Sequence, residues 1–225
     1  MPKLTIVPLL VTPKGVSKPV RASQNVYAAF KEVSEFYYQQ LGVTFDVGAV
    51  KSYVYPMTWA EVEARWSGDG QEFWKDIVAR IPLDMCAAQA KGIAYCFVIL
   101  RPYSATFDMA GLGGMIGLER WGCPARPGTS LGADQMCWVI AGWRKADLVA
   151  AGWPADAIPW FADEREEALG AIAHEIGHLS RAALGHAAWE DDSPMQEWWD
   201  GLKRWGRNEF TAAEKAALLA SGDFG

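Results

Sequence analysis

Histidine is scarce in this chain: only three occur in 225 residues, and all of them fall between His174 and His186. Basic runs are missing too. Lysine and arginine total 21 against 27 acidic residues, a net charge of −6, so the electrostatic footprint of a nucleic-acid binder is absent and no nucleic-acid partner is expected. No apolar stretch reaches the roughly 20 residues that a spanning helix requires, which removes a membrane-spanning reading. The four cysteines, Cys86, Cys96, Cys123 and Cys137, are sparse for this length, and their spacings match no zinc ribbon. Cys123 and Cys137 bracket a loop containing Pro and Gly, so a bridge between them and free buried thiols both remain open. The first residues carry one charge and an apolar run broken by Pro8, without a small-residue cleavage site, so they read as a strand and not as a signal peptide. The compartment stays open between the cytoplasm and secretion after processing.

Apolar side chains, by contrast, are plentiful at 51%, enough for a sizeable core in one domain divided by a cleft. No repeat or low-complexity tract interrupts the reading. Leu4 to Val11 is a buried strand, and Pro13 to Ala22 a loop leading to Ser23 as an N-cap. Val26, Ala29, Phe30, Val33, Phe36, Tyr37 and Leu41 then recur at helical spacing until Gly42. Val43 to Tyr55 reads as one strand. Thr58 with Glu61 opens a helical stretch that breaks at Ser67 to Gly70 and resumes to Ile81. Tyr95 to Leu100, Met115 to Trp121 and Met136 to Ala141 complete five strands, the fourth softened by Gly113, Gly114 and Gly122 as suits a sheet edge. Asp163 and Glu166 begin a last amphipathic helix whose apolar stripe is Leu169, Ile172, Ile176, Leu179 and Ala183.

That helix carries His174-Glu175-Ile176-Gly177-His178. Residues four apart on a helix share a face, about 6 Å apart along the axis, so two imidazoles can be aimed at one ion. Glu175 follows the first histidine by about 100°, which places a carboxylate beside the metal as general base and not as ligand. This is the H-E-x-x-H arrangement of a zinc hydrolase. An ordinary surface helix would also tolerate these residues, but it would not collect every histidine of the chain, nor place Gly177 in its interior, where glycine is a poor helix former. A catalytic zinc needs a third protein ligand and one open position. His186 is the natural candidate, with Glu190, Asp191, Asp192 and Glu197 as alternatives. In a continuous helix His186 would lie roughly 12 Å beyond His178, so the helix must stop first; Gly185 is the expected stop, through a left-handed turn.

From these residues the chain resembles the metzincin clan of zinc metallopeptidases, from Leu4 to Met195. The first five positions of H-E-x-x-H-x-x-G-x-x-H match as His174 to His178, and Ser193-Pro194-Met195 resembles the methionine turn. The departures are Arg181 at the family's glycine and Leu184 at its third histidine, with Gly185 and His186 two residues later. The resemblance implies an α+β zincin fold with a twisted, mostly parallel five-stranded sheet, a backing helix, an active-site helix and a small C-terminal helical subdomain. The division implied is 1–185 for sheet and active-site helix, and 186–225 for methionine turn and helix. It further implies one catalytic Zn2+ on His174, His178 and His186, with Met195 as an apolar floor. Gly114, Met115, Ile116, Gly117 and Leu118 become an edge strand that holds an extended peptide by main-chain hydrogen bonds; a plain glycine-softened edge is the other reading. A gluzincin-like alternative would take Glu197 as third ligand and leave His186 and Met195 unexplained. All seven tyrosines precede residue 104, so the tyrosine that some members place after the methionine is missing. Trp198 and Trp199 either line a side-chain pocket or belong to the core.

The expected activity is therefore that of a zinc-dependent endopeptidase, working as a monomer on a peptide or protein substrate, with Glu175 taking a proton from a zinc-bound water and passing it to the leaving amine. The alternatives are a zinc-containing peptide-binding or structural protein without turnover, and a metal-dependent amidase acting on cell-wall peptides.

Overall fold

The structure is a computed structural model and describes residues 3–66, 70–100, 146, 149, 164–180, 182, 184–188, 191–196 and 207–225. The expected strands 115–121 and 136–141, the edge residues Gly114 to Leu118, the cysteines Cys123 and Cys137, and Asp163, Arg181, Glu190, Glu197, Trp198 and Trp199 lie outside the described residues.

Strand β1 (Thr5–Pro13) is the centre of the sheet. Its side chains from Ile6 to Pro13 are all buried, as an unbroken apolar run requires of a strand covered on both faces. It pairs in parallel with β2 (Asp46–Val47) and β3 (Lys51–Tyr55) along one edge and with β4 (Ile93–Ile99) along the other. The continuous strand expected over Val43 to Tyr55 is thus two strands, and Pro8 gives the reason. The carbonyl of Ile6 accepts from Gly48 N at 2.8 Å, on the β2 side. Because β residues alternate sides, the nitrogen of Pro8 faces the same edge, and it has no hydrogen to donate. β2 pairs with residues 5 and 6, and β3 takes up the pairing again at Leu9. Pro8 falls in the gap. Gly48, just after β2, passes so close to β1 that a Cβ would lie 2.7 Å from Val7 Cγ2.

Helix α1 (Ala22–Leu41) lays Val26, Ala29, Phe30, Val33, Phe36 and Tyr37 on one face and stops at Gly42, whose φ of 73° is left-handed. It begins one residue before the expected cap: Arg21 occupies the N-cap without a side-chain hydrogen bond, and Ser23 lies inside the first turn. α2 (Trp59–Trp66) and α3 (Gly70–Arg80) flank the expected break. α4 (Met85–Ala90), absent from the sequence reading, is a short turn of helix started by Asp84, whose Oδ1 accepts from Ala87 N at 2.8 Å. α5 (Glu164–Leu179) and α6 (Ala212–Ala220) complete the described elements.

Helices cover both faces of the sheet. Leu4, Ile6, Leu10, Cys96 and Val98 pack with α1, α5, Met195, Phe210, Leu218 and Phe224. Val7, Leu9, Val11, Phe97 and Ile99 pack with Trp59, Val62, Trp66, Phe73 and Ile77 of α2 and α3. The described fold is α+β with a parallel sheet. No helix among the described residues is long and apolar enough to cross a membrane.

Candidate metal centre

α5 is held against α1 by apolar packing and by Tyr37, whose hydroxyl donates to the Ala173 carbonyl at 2.9 Å. Arg165 adds an exposed pairing with Glu32 at 3.1 Å. These contacts set the rotation of the helix, so that His174 is buried and His178 half-buried. The helix ends at Leu179, earlier than the Gly185 stop expected from sequence. Gly185 has no left-handed φ; among the described glycines that conformation belongs to Gly15, Gly42, Gly92 and Gly222. The terminus is made instead by Ser180, whose hydroxyl donates to the Gly177 carbonyl at 3.0 Å, a carbonyl that also accepts from Leu184 N at 3.4 Å. The chain folds back over the helix end.

That return brings His186 to the other two histidines. The ring centroids of His174, His178 and His186 are 4.6, 5.0 and 5.3 Å apart, and one nitrogen from each lies within 4.8 Å of the others. No other such group of histidine, cysteine or carboxylate side chains occurs among the described residues, and Asp191 and Asp192 stay outside it. His174 is 8% exposed, whereas His186 lies at the exposed rim.

Hydrogen bonds fix the tautomers. His174 Nδ1 is 2.9 Å from the Pro194 carbonyl oxygen, and His178 Nδ1 is 2.6 Å from that of Leu184. A carbonyl can only accept, so each Nδ1 carries the proton and each Nε2 keeps a lone pair. The two Nε2 atoms face each other at 2.9 Å. Two lone pairs cannot bond one another, but a cation between them turns the opposition into ligation. Two nitrogens about 2.0–2.1 Å from a tetrahedral zinc would stand roughly 3.3 Å apart, a few tenths of an ångström wider than this pair. The donor set therefore fits zinc: neutral imidazoles, each oriented by a backbone carbonyl. Burial, then the neighbouring His178, lowers the His174 pKa to about 3; burial likewise lowers that of His178. Both are available as unprotonated ligands at neutral pH.

Glu175 points away from bulk water and is 5% exposed. Its Oε2 has no hydrogen-bond partner among the described residues, and burial raises its pKa to about 8. A carboxyl so placed holds its proton until a cation or another partner favours the charged form. Met195 is fully buried and packs on the backbone of α5: a Cβ at Gly177 would lie 2.3 Å from its Sδ. The room that Gly177 leaves is taken by Met195. The Met195 carbonyl accepts from Ala187 N at 2.9 Å, and Ala187 bridges in parallel to Gln196, so the turn is tied to the segment bearing His186.

No family model and no curated protein matches the sequence. Among solved structures, archaemetzincin from Methanopyrus kandleri aligns over 97% of this chain and 95% of its own, with 13% identity and a TM-score of 0.44. A zinc-dependent peptidase from Methanocorpusculum labreanum aligns over 94% and 99%, with 15% identity and a TM-score of 0.39.

The carbonyls of Pro194 and Leu184 are the site groups that sequence reasoning missed. Main-chain acceptors leave no signature in side-chain identity. Only the proline between Ser193 and Met195 hinted at a rigid turn.

Proposed function

We propose that this chain is a zinc-dependent peptidase, with one Zn2+ on His174, His178 and His186 and Glu175 as the catalytic base. The observation that carries the reading is the pair of tethered imidazoles whose Nε2 lone pairs converge at 2.9 Å, with a third imidazole completing the triangle. When bound, zinc supplies a Lewis acid that polarises a scissile carbonyl and eases the ionisation of water. His174 and His178 hold fixed tautomers, so no proton leaves them in the cycle. The Glu175 carboxylate takes a proton from the attacking water and delivers it to the leaving amine nitrogen; its seclusion keeps it from exchanging that proton with solvent. Met195, fully buried against Gly177, is assigned to the apolar floor beneath the two histidines. His186, at the rim, leaves the open side for substrate. Gly114 to Leu118 are assigned to binding an extended peptide, which the glycine-bounded edge pattern of the sequence supports.

Elemental analysis and a peptide library test this together. Wild type is expected to carry one zinc and to cleave peptides until a chelator is added. Glu175→Ala should keep the zinc and lose about 10²–10⁴-fold in turnover, the range for a general base. Zinc bound with no cleavage in wild type would instead identify a binding or structural centre. Undiminished zinc in His186→Ala would remove that residue from the ligand set.

A further inference from the structure

We propose that Glu214, on the last helix, is a positioning residue for the metal centre, acting through Ser193 on the turn whose carbonyl orients His174. The inference rests on the metal-centre reading above. Glu214 stands in the first turn of α6, where it forms a capping box: Thr211 Oγ1 accepts from Glu214 N at 3.2 Å, and Glu214 Oε2 accepts from Thr211 N at 2.7 Å. That duty uses one of about four lone-pair positions on the carboxylate. Both oxygens also accept from Ser193 Oγ, at 3.0 and 2.8 Å.

Ser193 is fully buried. Its single hydroxyl proton goes to the carboxylate, which cannot donate when ionised, and the oxygen in turn accepts from Met195 N at 3.0 Å. The hydroxyl thus has both a direction and two anchors. Pro194 lies between the two anchored residues. Its ring fixes φ, and its carbonyl takes the Nδ1 proton of His174 at 2.9 Å. The connection runs from α6 through Ser193 to the turn, and from the turn to the ring that must present Nε2 to the metal. Helix capping alone gives Glu214 no reason to engage a buried serine on another segment. Partners that orient a ligand directly are worth about 10–100-fold in metal affinity, and Glu214, one step further out, belongs at the lower end of that range.

The test compares zinc dissociation constants, by competition with a chromogenic chelator, with the Co(II) absorption spectrum and the melting temperature of the metal-free protein. Ser193→Ala and Glu214→Ala are each expected to weaken zinc by about tenfold and to alter the Co(II) bands. The double variant should lose no more than the weaker-binding single one, because both cut the same connection. Thr211→Ala removes the other half of the capping box without touching Ser193; it should lower the melting temperature and leave zinc affinity and Co(II) bands as in wild type. If Ser193→Ala does not fold, Glu214→Ala carries the comparison, with Thr211→Ala as the control for the lost cap. Wild-type zinc affinity in Glu214→Ala, multiplying losses in the double variant, or an equal loss of affinity in Thr211→Ala would each overturn the proposal alone. Failure of wild type to bind zinc would overturn the metal centre itself and this inference with it.

Discussion

The two faces of the sheet are built from the same strands and both bury aromatic rings, but they differ in the polar groups buried beside them. On the α2 and α3 side, Tyr55, Trp59, Trp66 and Phe73 form an aromatic cluster with ring centroids 5.3–6.5 Å apart. At its margin the Tyr55 hydroxyl and Arg80 both bond Asp76. On the α1 and α5 side the interior holds His174, Glu175, Ser180 and Ser193, all buried. Burying such groups costs stability unless each finds a partner, and Glu175 Oε2 has none among the described residues. Both faces supply apolar packing, and the α1 and α5 face alone also carries the candidate centre for chemistry.

The largest expected effect tests the silent face. Phe73 is fully buried among three aromatic rings, so Phe73→Ala should cost about 3–5 kcal/mol through lost contacts and a cavity. Zinc affinity of the fraction that remains folded should not change. A denaturant titration paired with zinc competition checks both; a loss of affinity would show that the two faces are coupled.

The next effect belongs to the functional face and depends on pH. Glu175 has a folded pKa of about 8 against the ordinary 4.5. Its folded form keeps a proton that the unfolded form releases, so the stability associated with it is full below about 4.5 and is lost as pH rises toward 8. His174 runs the other way: with a folded pKa of about 3, its contribution is full above about 6.5 and is lost as pH falls. Between pH 6.5 and 8 only Glu175 of these two acts, over about 1.5 units, or about 2 kcal/mol. Metal-free wild type should lose that much across the window, and metal-free Glu175→Gln should not. Parallel denaturant curves for the two proteins would rule out the buried-acid reading.

What the sequence made legible follows the same division. An unbroken apolar run showed β1, and helical spacing showed α1 and the two histidines of α5, because such patterns report which faces are buried. The histidine scarcity drew attention to His186, which the fold indeed brings to the pair. The split between β2 and β3 depends on which edge of β1 Pro8 faces, a property of pairing that no single strand declares. The helix stops before His186, as the ligand spacing requires, but Gly185, the usual sign of a stop, does not make the end: a serine hydroxyl and a returning backbone do that work. The bond from Glu214 to Ser193 spans elements distant in sequence. Thr211 and Glu214 meet across three residues of sequence, whereas nothing local reveals the third partner.

The smallest effect is the most specific. Gly177→Ala should gain about 1 kcal/mol from helix propensity and lose about 1–3 kcal/mol from overpacking, because the new Cβ falls 2.3 Å from Met195 Sδ in a fully buried contact. The net is a loss of about 1 kcal/mol. In a Met195→Ala background the obstruction is gone and only the helix gain remains, so the same substitution should become stabilising. Since Met195 adjoins the carbonyl that orients His174, zinc affinity should fall in the single variant Gly177→Ala as the turn is pushed outward. A sign of ΔΔG that does not reverse between the two backgrounds would mean that Gly177 is kept for a reason other than the room it gives the methionine.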